Sequence, residues 1–272
     1  MDLPNIETYL HPDDIQTITT WGEGWTWLAG GTWLFSEPQP QLKVLVDIQP
    51  WRWSEIEIQG DNLIIGATCP LIKLLEYPWL AEWTAIAVLK TAITALSASF
   101  KVVNQATVGG NICLALSAGT LAPLMVALGA SYEIWNLQKE SRQVAARDFQ
   151  IGFKTTILQP GEILRRVLIP LSNLTWQVDY QRFGITATDP ALAIVVTARN
   201  HQQVRCVIAA SVVAPRLLES EIMETAQTEF IACLDSESFI EDAKASAIYR
   251  REITEILIKS SLSELILRVQ RL

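Results

Sequence analysis

Asn104-Gln105-Ala106-Thr107-Val108-Gly109-Gly110-Asn111 is the most informative stretch of this sequence, and Ala29-Gly30-Gly31-Thr32 is its counterpart nearer the N-terminus. Each glycine pair follows apolar residues and is predicted to form a tight loop, because glycine tolerates positive φ and lets the main chain approach a ligand without a Cβ in the way. Consecutive backbone N–H groups in such a loop can hold phosphate oxygens. Thr32, Thr107 and Asn111 would add side-chain donors. The two loops together predict a site that grips a pyrophosphate.

Paired glycines also occur in tight turns that bind nothing, so each pair alone is a weak signal. The sequence contains neither G-x-G-x-x-G nor G-x-x-x-x-G-K-[ST]. The dinucleotide-binding Rossmann fingerprint and the P-loop are therefore not supported.

The composition excludes several classes of function. The formal net charge is −8, and a nucleic-acid partner would require a clustered basic surface. The most apolar stretch, residues 114–130, is interrupted by serine, glycine and proline, so membrane insertion is not expected. The N-terminus lacks the basic start and apolar middle of a signal peptide, and a cytoplasmic location is expected. Hydrophobic residues make up 50% and charged residues 18%, which fits either burial against partner subunits or a compact monomer.

This chain has few residues that could bind a metal ion or form a disulfide. The four cysteines are widely separated, with no C-x-x-C pair, and there are only two histidines, His11 and His201. We therefore expect no disulfide framework and no metal site made by this chain alone. The histidines are interpreted as surface residues.

The pattern along the chain predicts three units, spanning residues 1–55, 56–170 and 171–272. In the first, a short helix starting at Pro12 and ending near Gly22 is followed by strands over residues 25–28 and 42–47. Most of the ten tryptophans fall in this unit, and such clustering is more typical of core and interface packing than of a cofactor site.

The second unit is predicted to contain a hairpin turning at Gly60-Asp61-Asn62 and a helix after Pro70 that Thr68 caps. Helices over residues 78–96 and 121–128 follow, with short strands around Tyr132 and Val144 and a strand over residues 163–169. The alternation of strands and helices predicts an α/β arrangement for the first two units.

The third unit is predicted to be α+β, because three strand-like runs precede helices. The runs cover residues 176–183, 191–198 and 204–213, and the third alternates as in a sheet with one covered face. Ser238 with Glu241 forms a capping-box pattern. The last helix has a stripe predicted to be core, and it consists of Ile253, Ile256, Leu257, Leu262, Leu265, Ile266 and Val269.

The chain resembles the FAD-binding subunit of the molybdenum hydroxylase family, which includes xanthine dehydrogenase and carbon monoxide dehydrogenase. The resemblance runs nearly end to end and rests on the order of several short segments. These are Ala29-Gly30-Gly31-Thr32, Leu45-Val46-Asp47-Ile48, Ile65-Gly66-Ala67-Thr68, Asn104 to Asn111, Pro160-Gly161-Glu162-Ile163-Leu164 and Ala245-Ser246-Ala247-Ile248-Tyr249-Arg250-Arg251.

The resemblance implies an α+β protein with a PCMH-type FAD-binding fold, in which two α/β subdomains hold FAD. A C-terminal domain like that of the carbon monoxide dehydrogenase flavoprotein, a three-stranded sheet with helices, would follow. The implied FAD-binding residues are Leu28, Ala29, Gly30, Gly31, Thr32, Trp33, Leu34, Thr107, Gly109, Gly110, Asn111, Thr120, Leu164 and Arg182. The first seven and the four at 107–111 would surround the diphosphate, and the segments around Leu164 and Arg182 would lie near the flavin ring or adenine.

The resemblance also implies a function in electron transfer from [2Fe–2S] clusters to NAD⁺, oxygen or another acceptor. The implied partners are a small [2Fe–2S] subunit and a large molybdopterin subunit, with a possible homo-oligomer of the whole assembly. The flavin does the chemistry, so no catalytic side chain is named. Arg182 could stabilise negative charge on reduced flavin or be an ordinary salt-bridge arginine, and Asp47 and Asp189 are interpreted as turn or capping residues.

The sequence departs from the family pattern at several polar positions. Trp33 stands where the family usually has an acidic residue, Val103 precedes Asn104 in place of an arginine, and Thr120 replaces an aspartate. The family's Lys and later Arg-Arg become Arg182 followed by Ile185-Thr186-Ala187. Each lost contact is worth about 0.5–1.5 kcal/mol. FAD could therefore be weak or lost, and the alternative is a flavin-free scaffold or interaction subunit; Trp33 would either stack on the flavin or fill its pocket.

Overall fold

The computed structural model describes residues 3–235 and 238–270. The first sheet in it is small and parallel, with strand order β1-β3-β2. Its strands are β1 (Thr8–Leu10), β2 (Trp25–Leu28) and β3 (Val44–Asp47). The predicted strands are confirmed. The helix predicted from Pro12 is only a short 3-10 turn, Ile15–Thr17, which Asp14 caps by accepting a hydrogen bond from the Gln16 N–H at 3.0 Å.

The second sheet has five antiparallel strands in the order β4-β5-β10-β6-β7. They are β4 (Ile56–Gln59), β5 (Asn62–Gly66), β6 (Ser131–Trp135), β7 (Ser141–Ala145) and β10 (Ile163–Pro170). The predicted hairpin is confirmed, because β4 and β5 pair directly across Gly60 and Asp61. A two-stranded ribbon, β8 (Gln150–Gly152) and β9 (Thr155–Thr156), lies between β7 and β10 in the chain.

Short helices connect the strands of this second unit. They are α1 (Leu71–Glu76), α2 (Ile86–Thr94), α3 (Phe100–Gln105), α4 (Val108–Cys113), α5 (Leu121–Ala127) and α6 (Leu171–Leu174). Thr68 does not cap α1, whose first flanking residue is Pro70. The helix predicted over residues 78–96 begins only at Ile86. The preceding residues are held by tertiary hydrogen bonds instead, from Thr84 Oγ1 to the Trp176 carbonyl at 2.9 Å and from the Ala85 N–H to the Leu174 carbonyl at 3.0 Å.

The third sheet is antiparallel in the order β11-β12-β13-β14 and has a fourth strand that was not predicted. Its strands are β11 (Gln177–Phe183), β12 (Ala193–Arg199), β13 (Val204–Ala209) and β14 (Arg216–Ser220), followed by α7 (Met223–Ala232) and α8 (Ala247–Gln270). The α+β class is confirmed. The fourth strand escaped prediction because its five residues, Arg-Leu-Leu-Glu-Ser, lack the regular alternation that marks a half-buried strand.

Both faces of the third sheet are covered, whereas the pattern of β13 predicted one. Val207 and Ala209 belong to the main core, which is continuous with the second sheet and α5. Val204, Cys206 and Ile208 pack instead with residues of α7 and α8. The sheet is therefore sandwiched between helices.

The predicted stripe of α8 is partly wrong. Ile253, Leu262 and Leu265 are buried as expected, but Ile256 and Ile266 are exposed. The side chain of Val269 lies outside the described residues. Polar residues occupy the buried face instead, since Arg250, Thr254 and Ser261 are buried and hydrogen-bonded to neighbouring elements.

The capping-box prediction at Ser238 is also wrong. The Ser238 hydroxyl donates to the Asp235 carbonyl at 2.7 Å, and no described helix begins there. The helix start lies at Ser246, whose Oγ accepts from the Tyr249 N–H at 3.2 Å. In the part of the chain that the structure describes, no helix has the length and apolar character needed to cross a membrane.

Candidate functional site

A cavity of about 600 Å³ is lined by residues of four stretches of the chain, 26–34, 95–120, 158 and 188–191. Its wall comes from the turn after β2, the first turn of α4, the loop between α4 and α5, the segment after α2, and the loop before β12. Most of the lining is apolar. A pocket of this size and character is typical of small-molecule and cofactor sites.

The first glycine pair shapes one wall of this cavity. Gly31 has a φ of +68°, the left-handed conformation that favours glycine. Gly30 is required for a different reason: a Cβ there would lie 1.8 Å from the Gln105 carbonyl oxygen at the end of α3. The chain therefore turns sharply and passes directly against α3.

This turn leaves a run of backbone donors unused. None of the described residues accepts a hydrogen bond from the N–H groups of residues 30–34, although the Phe35 N–H donates to the Gly31 carbonyl at 3.0 Å. All five of residues 30–34 line the cavity. Successive free N–H groups around a left-handed residue form the concavity that binds anions such as phosphate.

The second glycine pair is arranged differently from the prediction. Gly109 and Gly110 lie in the first turn of α4 rather than in a loop, and Thr107 caps that helix by accepting from the Gly110 N–H at 3.0 Å. The N–H groups of Val108 and Gly109 donate to backbone carbonyls of Cys69 and Ala67 at 2.9 and 2.8 Å. These donors are thus occupied within the chain. A Cβ at Gly109 would lie 2.7 Å from that of Ala67, so this glycine serves close packing of α4 against the end of β5.

Two side chains at the cavity wall hold buried polar atoms that have no hydrogen-bond partner among the described residues. They are Asn111 Oδ1 and Thr120 Oγ1. Thr120 is 3% exposed. An unsatisfied buried polar atom costs free energy, and its position at a cavity wall is typical of a ligand site.

The predicted site residues fall into two groups, those that line the cavity and those that do not. Ala29, Gly30, Gly31, Thr32, Trp33, Leu34, Thr107, Gly110, Asn111 and Thr120 line the cavity. Leu28, Gly109, Leu164 and Arg182 do not line it: the first three are packed in the interior, with Leu164 in the main core. Leu158 lines the cavity where Leu164 was expected.

Arg182 does not line the cavity itself but holds a loop that does. Its guanidinium donates to the carbonyl oxygens of Ala187, at 2.9 Å, and Asp189. The Asp189 side chain accepts from the Thr186 N–H at 3.0 Å, as expected of a turn residue. Residues 188–191 of this loop line the cavity. Arg182 therefore fixes the shape of the wall rather than contributing a charge to it.

The residues that line the cavity carry little charge. Among the described lining residues only Asp189 is charged. Two cations lie just outside the lining: the Arg182 guanidinium contacts the Asp189 carbonyl, and Lys154 in the β8–β9 ribbon has its Nζ 4.9 Å from the centroid of the Trp33 ring and 3.8 Å from Glu37. An anionic group bound here would be held mainly by backbone and neutral side-chain donors.

Several lining residues were not predicted. They are Thr26, Trp27, Ala95, Leu96, Ala98, Val102, Ala106, Cys113, Leu114, Leu116, Ala118, Gly119, Leu158, Thr188, Asp189, Pro190 and Ala191. Most are small or apolar, and only the three-dimensional fold brings them to one place. Burial raises the pKa of the Cys113 thiol to about 12. Asp47 was interpreted correctly as a turn residue, since it accepts hydrogen bonds from the Gln49 N–H at 2.8 Å and the Tyr9 hydroxyl at 2.6 Å.

Residues 5–172 match the family described as "FAD binding domain in molybdopterin dehydrogenase". The chain belongs to this family. The match confirms the resemblance found in the sequence and makes the chain a relative of oxidoreductase subunits. It covers the first two sheets and the glycine pairs that flank the cavity.

Individual relatives are either less than 30% identical to this chain or similar to it over a short segment only. The carbon monoxide dehydrogenase medium chain of Afipia carboxidovorans is 28% identical over 201 residues, which cover 72% of this chain and 68% of that one. Xanthine dehydrogenase of Oryza sativa subsp. japonica is 43% identical over 67 residues, which are 25% of this chain but 5% of the rice enzyme. The alignment thus spans a small part of that much longer protein.

Solved structures share the fold over nearly the whole chain. Carbon monoxide dehydrogenase from Hydrogenophaga pseudoflava has a TM-score of 0.82 at 21% identity, covering 98% of this chain and 99% of that chain. Quinoline 2-oxidoreductase from Pseudomonas putida 86 has a TM-score of 0.79 at 21% identity, covering 97% and 98%. The C-terminal sheet and helices, which lie beyond residue 172, are therefore also part of the shared architecture.

Proposed function

We propose that this chain binds FAD in the cavity and acts as the electron-transfer subunit of a molybdenum hydroxylase. The observation that carries the proposal is the run of unused N–H groups over residues 30–34 at the cavity wall. A diphosphate is the group that such a run fits, because its oxygens accept several hydrogen bonds from one side. Membership of the FAD-binding family supports the same ligand.

The residues at the cavity wall are of the kinds that would hold FAD, although fewer of the implied residues line the cavity than the resemblance predicted. Residues 30–34 would hold the diphosphate, while Asn111 and Thr120 would offer their unpartnered oxygens to polar groups of the cofactor. The apolar wall, which includes Leu96, Val102 and Leu158, would exclude water from the rings. Arg182 would keep the loop over residues 184–191 in place. Near-neutral lining predicts weaker binding than a site with a cation at the diphosphate, since charge-assisted hydrogen bonds are the stronger ones.

FAD bound there would supply the redox chemistry, taking electrons from a donor and passing them to an acceptor. This chain would contribute binding and placement, and no side chain of it is proposed as an acid, base or nucleophile. We further propose a small [2Fe–2S] subunit as electron donor, a large molybdopterin subunit as the site of substrate oxidation, and NAD⁺ or another acceptor. A cytoplasmic location and a homo-oligomer of the complete assembly belong to the same proposal.

The test is to purify the chain, incubate it with excess FAD, remove free ligand by desalting and record the visible spectrum. We expect retained flavin absorption and a saturable change in flavin fluorescence on titration. A matched control is Thr254→Val, which alters a buried threonine outside the cavity and should bind FAD as the unaltered chain does.

A chain that stays colourless and shows no saturation would refute FAD binding by the isolated subunit. The departures at Trp33 and Thr120 would then mark a flavin-free scaffold, the second function considered. Co-expression with candidate [2Fe–2S] and molybdopterin subunits, followed by gel filtration, tests the partners separately. Failure of the three chains to elute together would contradict that part of the proposal.

A further inference from the structure

Tryptophan rings form a continuous chain that begins at the cavity. Trp27 lines the cavity, and its ring centroid lies 4.2 Å from that of Trp21 with an angle of 34° between the planes. The Trp21 ring lies 5.6 Å from that of Trp25. All three rings are partly exposed. The chain therefore leads from the cavity wall to solvent in two steps between neighbouring indoles.

A second arm leaves Trp27 in the other direction. The centroid distances are 5.8 Å from Trp27 to Trp51, 4.8 Å from Trp51 to Trp53 and 5.5 Å from Trp53 to Trp135. The Trp27 and Trp51 planes meet at 63°, so these rings touch edge to face. The first contact of this arm, between Trp27 and Trp51, therefore has a longer centroid distance and less ring overlap than the contact between Trp27 and Trp21.

An N–H hydrogen bond accounts for indole at Trp27, Trp51 and Trp135, but the packing of Trp21 and Trp25 does not require indole. Phenylalanine or leucine would also fill such satellite cores, and aromatic pairs gain only about 0.5–1.5 kcal/mol beyond their buried area. Indole differs from them in being among the side chains most readily oxidised by one electron. An unbroken series of indoles in ring contact is therefore suited to moving an oxidising equivalent stepwise.

We propose that Trp27, Trp21 and Trp25 carry an oxidising equivalent from a flavin in the cavity to the protein surface. The proposal rests on the proposed FAD binding. It adds a second electron route, distinct from transfer between partner subunits, which would protect the site from one-electron oxidants formed there.

When light makes the bound flavin an oxidant, one electron passes at each step. Trp27 gives one electron to the excited flavin ring and is left as a radical cation. Trp21 then gives one electron to Trp27, and Trp25 gives one to Trp21. An external one-electron reductant, ascorbate, restores Trp25 and is itself oxidised, so that one electron has moved from ascorbate to the flavin.

Charge placement favours the arm through Trp21. The Arg165 guanidinium carbon lies 4.7 Å from the Trp53 ring centroid and 5.4 Å from that of Trp135. A positive charge so close disfavours a second one on either ring, although the ion pair of Arg165 with Glu55 reduces the effect. The Trp27 indole N–H meanwhile donates to the Glu162 carbonyl at 2.9 Å, an electronegative partner that favours positive charge on this ring.

The test is flash excitation of the flavin in the FAD-loaded chain, with transient absorption of tryptophan radicals as the readout. FAD affinity is measured first, by fluorescence titration, for each variant. We expect a tryptophan radical in the unaltered chain. In a Trp33→Phe background, which removes the other indole at the cavity wall, Trp27→Phe should lower its yield by at least about tenfold, which corresponds to about 1.4 kcal/mol of barrier. Trp21→Phe should leave the initial yield but shorten the radical's lifetime, because the charge can no longer move outward.

Trp51→Phe is the matched control, since it removes the other indole in contact with Trp27 and should leave yield and lifetime unchanged. Circular dichroism and thermal melting of each variant show that the fold is retained. Bound FAD without any tryptophan radical, or an equal loss in Trp51→Phe and Trp27→Phe, would overturn the proposal. Absence of FAD binding in the titration would instead show that the proposed function itself fails, and this inference with it.

Discussion

Replacing Thr120 by valine should change the stability of the FAD-free chain and its affinity for FAD in opposite directions. Thr120 is 3% exposed and its Oγ1 has no partner among the described residues. Burying an unsatisfied hydroxyl costs about 1–3 kcal/mol. Valine has nearly the same shape, and the Thr120 carbonyl keeps the Tyr180 hydroxyl as a donor at 3.4 Å. We therefore expect Thr120→Val to stabilise the FAD-free chain by about 1 kcal/mol.

The same variant should bind FAD less tightly. If the hydroxyl finds its missing partner on the cofactor, its loss removes about 1 kcal/mol of binding, which raises Kd roughly fivefold. Urea unfolding of the FAD-free protein gives the first quantity and fluorescence titration gives the second. At about 2–4 °C per kcal/mol for proteins of this size, thermal melting provides an independent check of stability.

Thr254→Val is the control with the opposite expectation for stability. Thr254 is as buried as Thr120, but its Oγ1 is satisfied by Ser211 Oγ at 2.9 Å and by the Arg250 carbonyl at 2.7 Å. Its replacement should destabilise the chain by about 1–2 kcal/mol and leave FAD affinity unchanged. The reasoning is refuted if Thr120→Val destabilises the FAD-free chain as Thr254→Val does, or if it leaves the Kd for FAD unchanged.

Three further outcomes are expected. Gly30→Ala should destabilise the chain by about 3 kcal/mol, the upper end of the usual cost of overpacking, because its Cβ would lie 1.8 Å from the Gln105 carbonyl oxygen. It should also weaken FAD binding; unfolding measures the first effect and titration the second. Glu162→Gln should reduce the loss of stability as the pH falls below the ordinary glutamate range, because the hydrogen bond from the Arg142 guanidinium lowers the pKa of Glu162. The carboxylate thus contributes stability above its unfolded pKa, lost as the pH falls through the folded one, which unfolding at several pH values detects. A thiol reagent should label Cys233 first, because it is the exposed cysteine.

Each of these outcomes has a control or a contrary result. Gly60 has a positive φ of +57° and open space around an added Cβ. Gly60→Ala should therefore lower the stability of the chain by about 1–2 kcal/mol without affecting FAD binding. Glu140→Gln alters an exposed carboxylate that has no basic partner among the described residues, and an acid response equal to that of Glu162→Gln would contradict the assignment. Labelling of Cys69 in the folded chain as fast as Cys233 would contradict its burial and the pKa of about 12 that follows from it.

The order of several short motifs in the sequence identified the family by resemblance, and the pattern along the chain predicted most of the strands and the first glycine turn. The strand and turn predictions depend on local chemistry: a glycine pair after an apolar strand, hairpin residues at Gly60-Asp61, and alternating apolar runs. Such signals are short-range, because φ preferences and side-chain periodicity act within a few residues. Ten of the site residues that the resemblance implied line the cavity, and most of them belong to two continuous segments at its wall.

Tertiary structure decided what depends on contacts between distant segments. Gly109 and Gly110 resemble the first pair in sequence, yet their N–H groups are used by the helix cap and by the end of β5. The helix expected from residue 78 is shortened by hydrogen bonds to residues 174 and 176. Arg182 was expected near the flavin ring or adenine but lies behind the cavity wall, where its two terminal guanidinium nitrogens donate to backbone carbonyls of the loop before β12. Whether a donor is free or used, and whether a ring meets another ring, is fixed only when the three sheets come together.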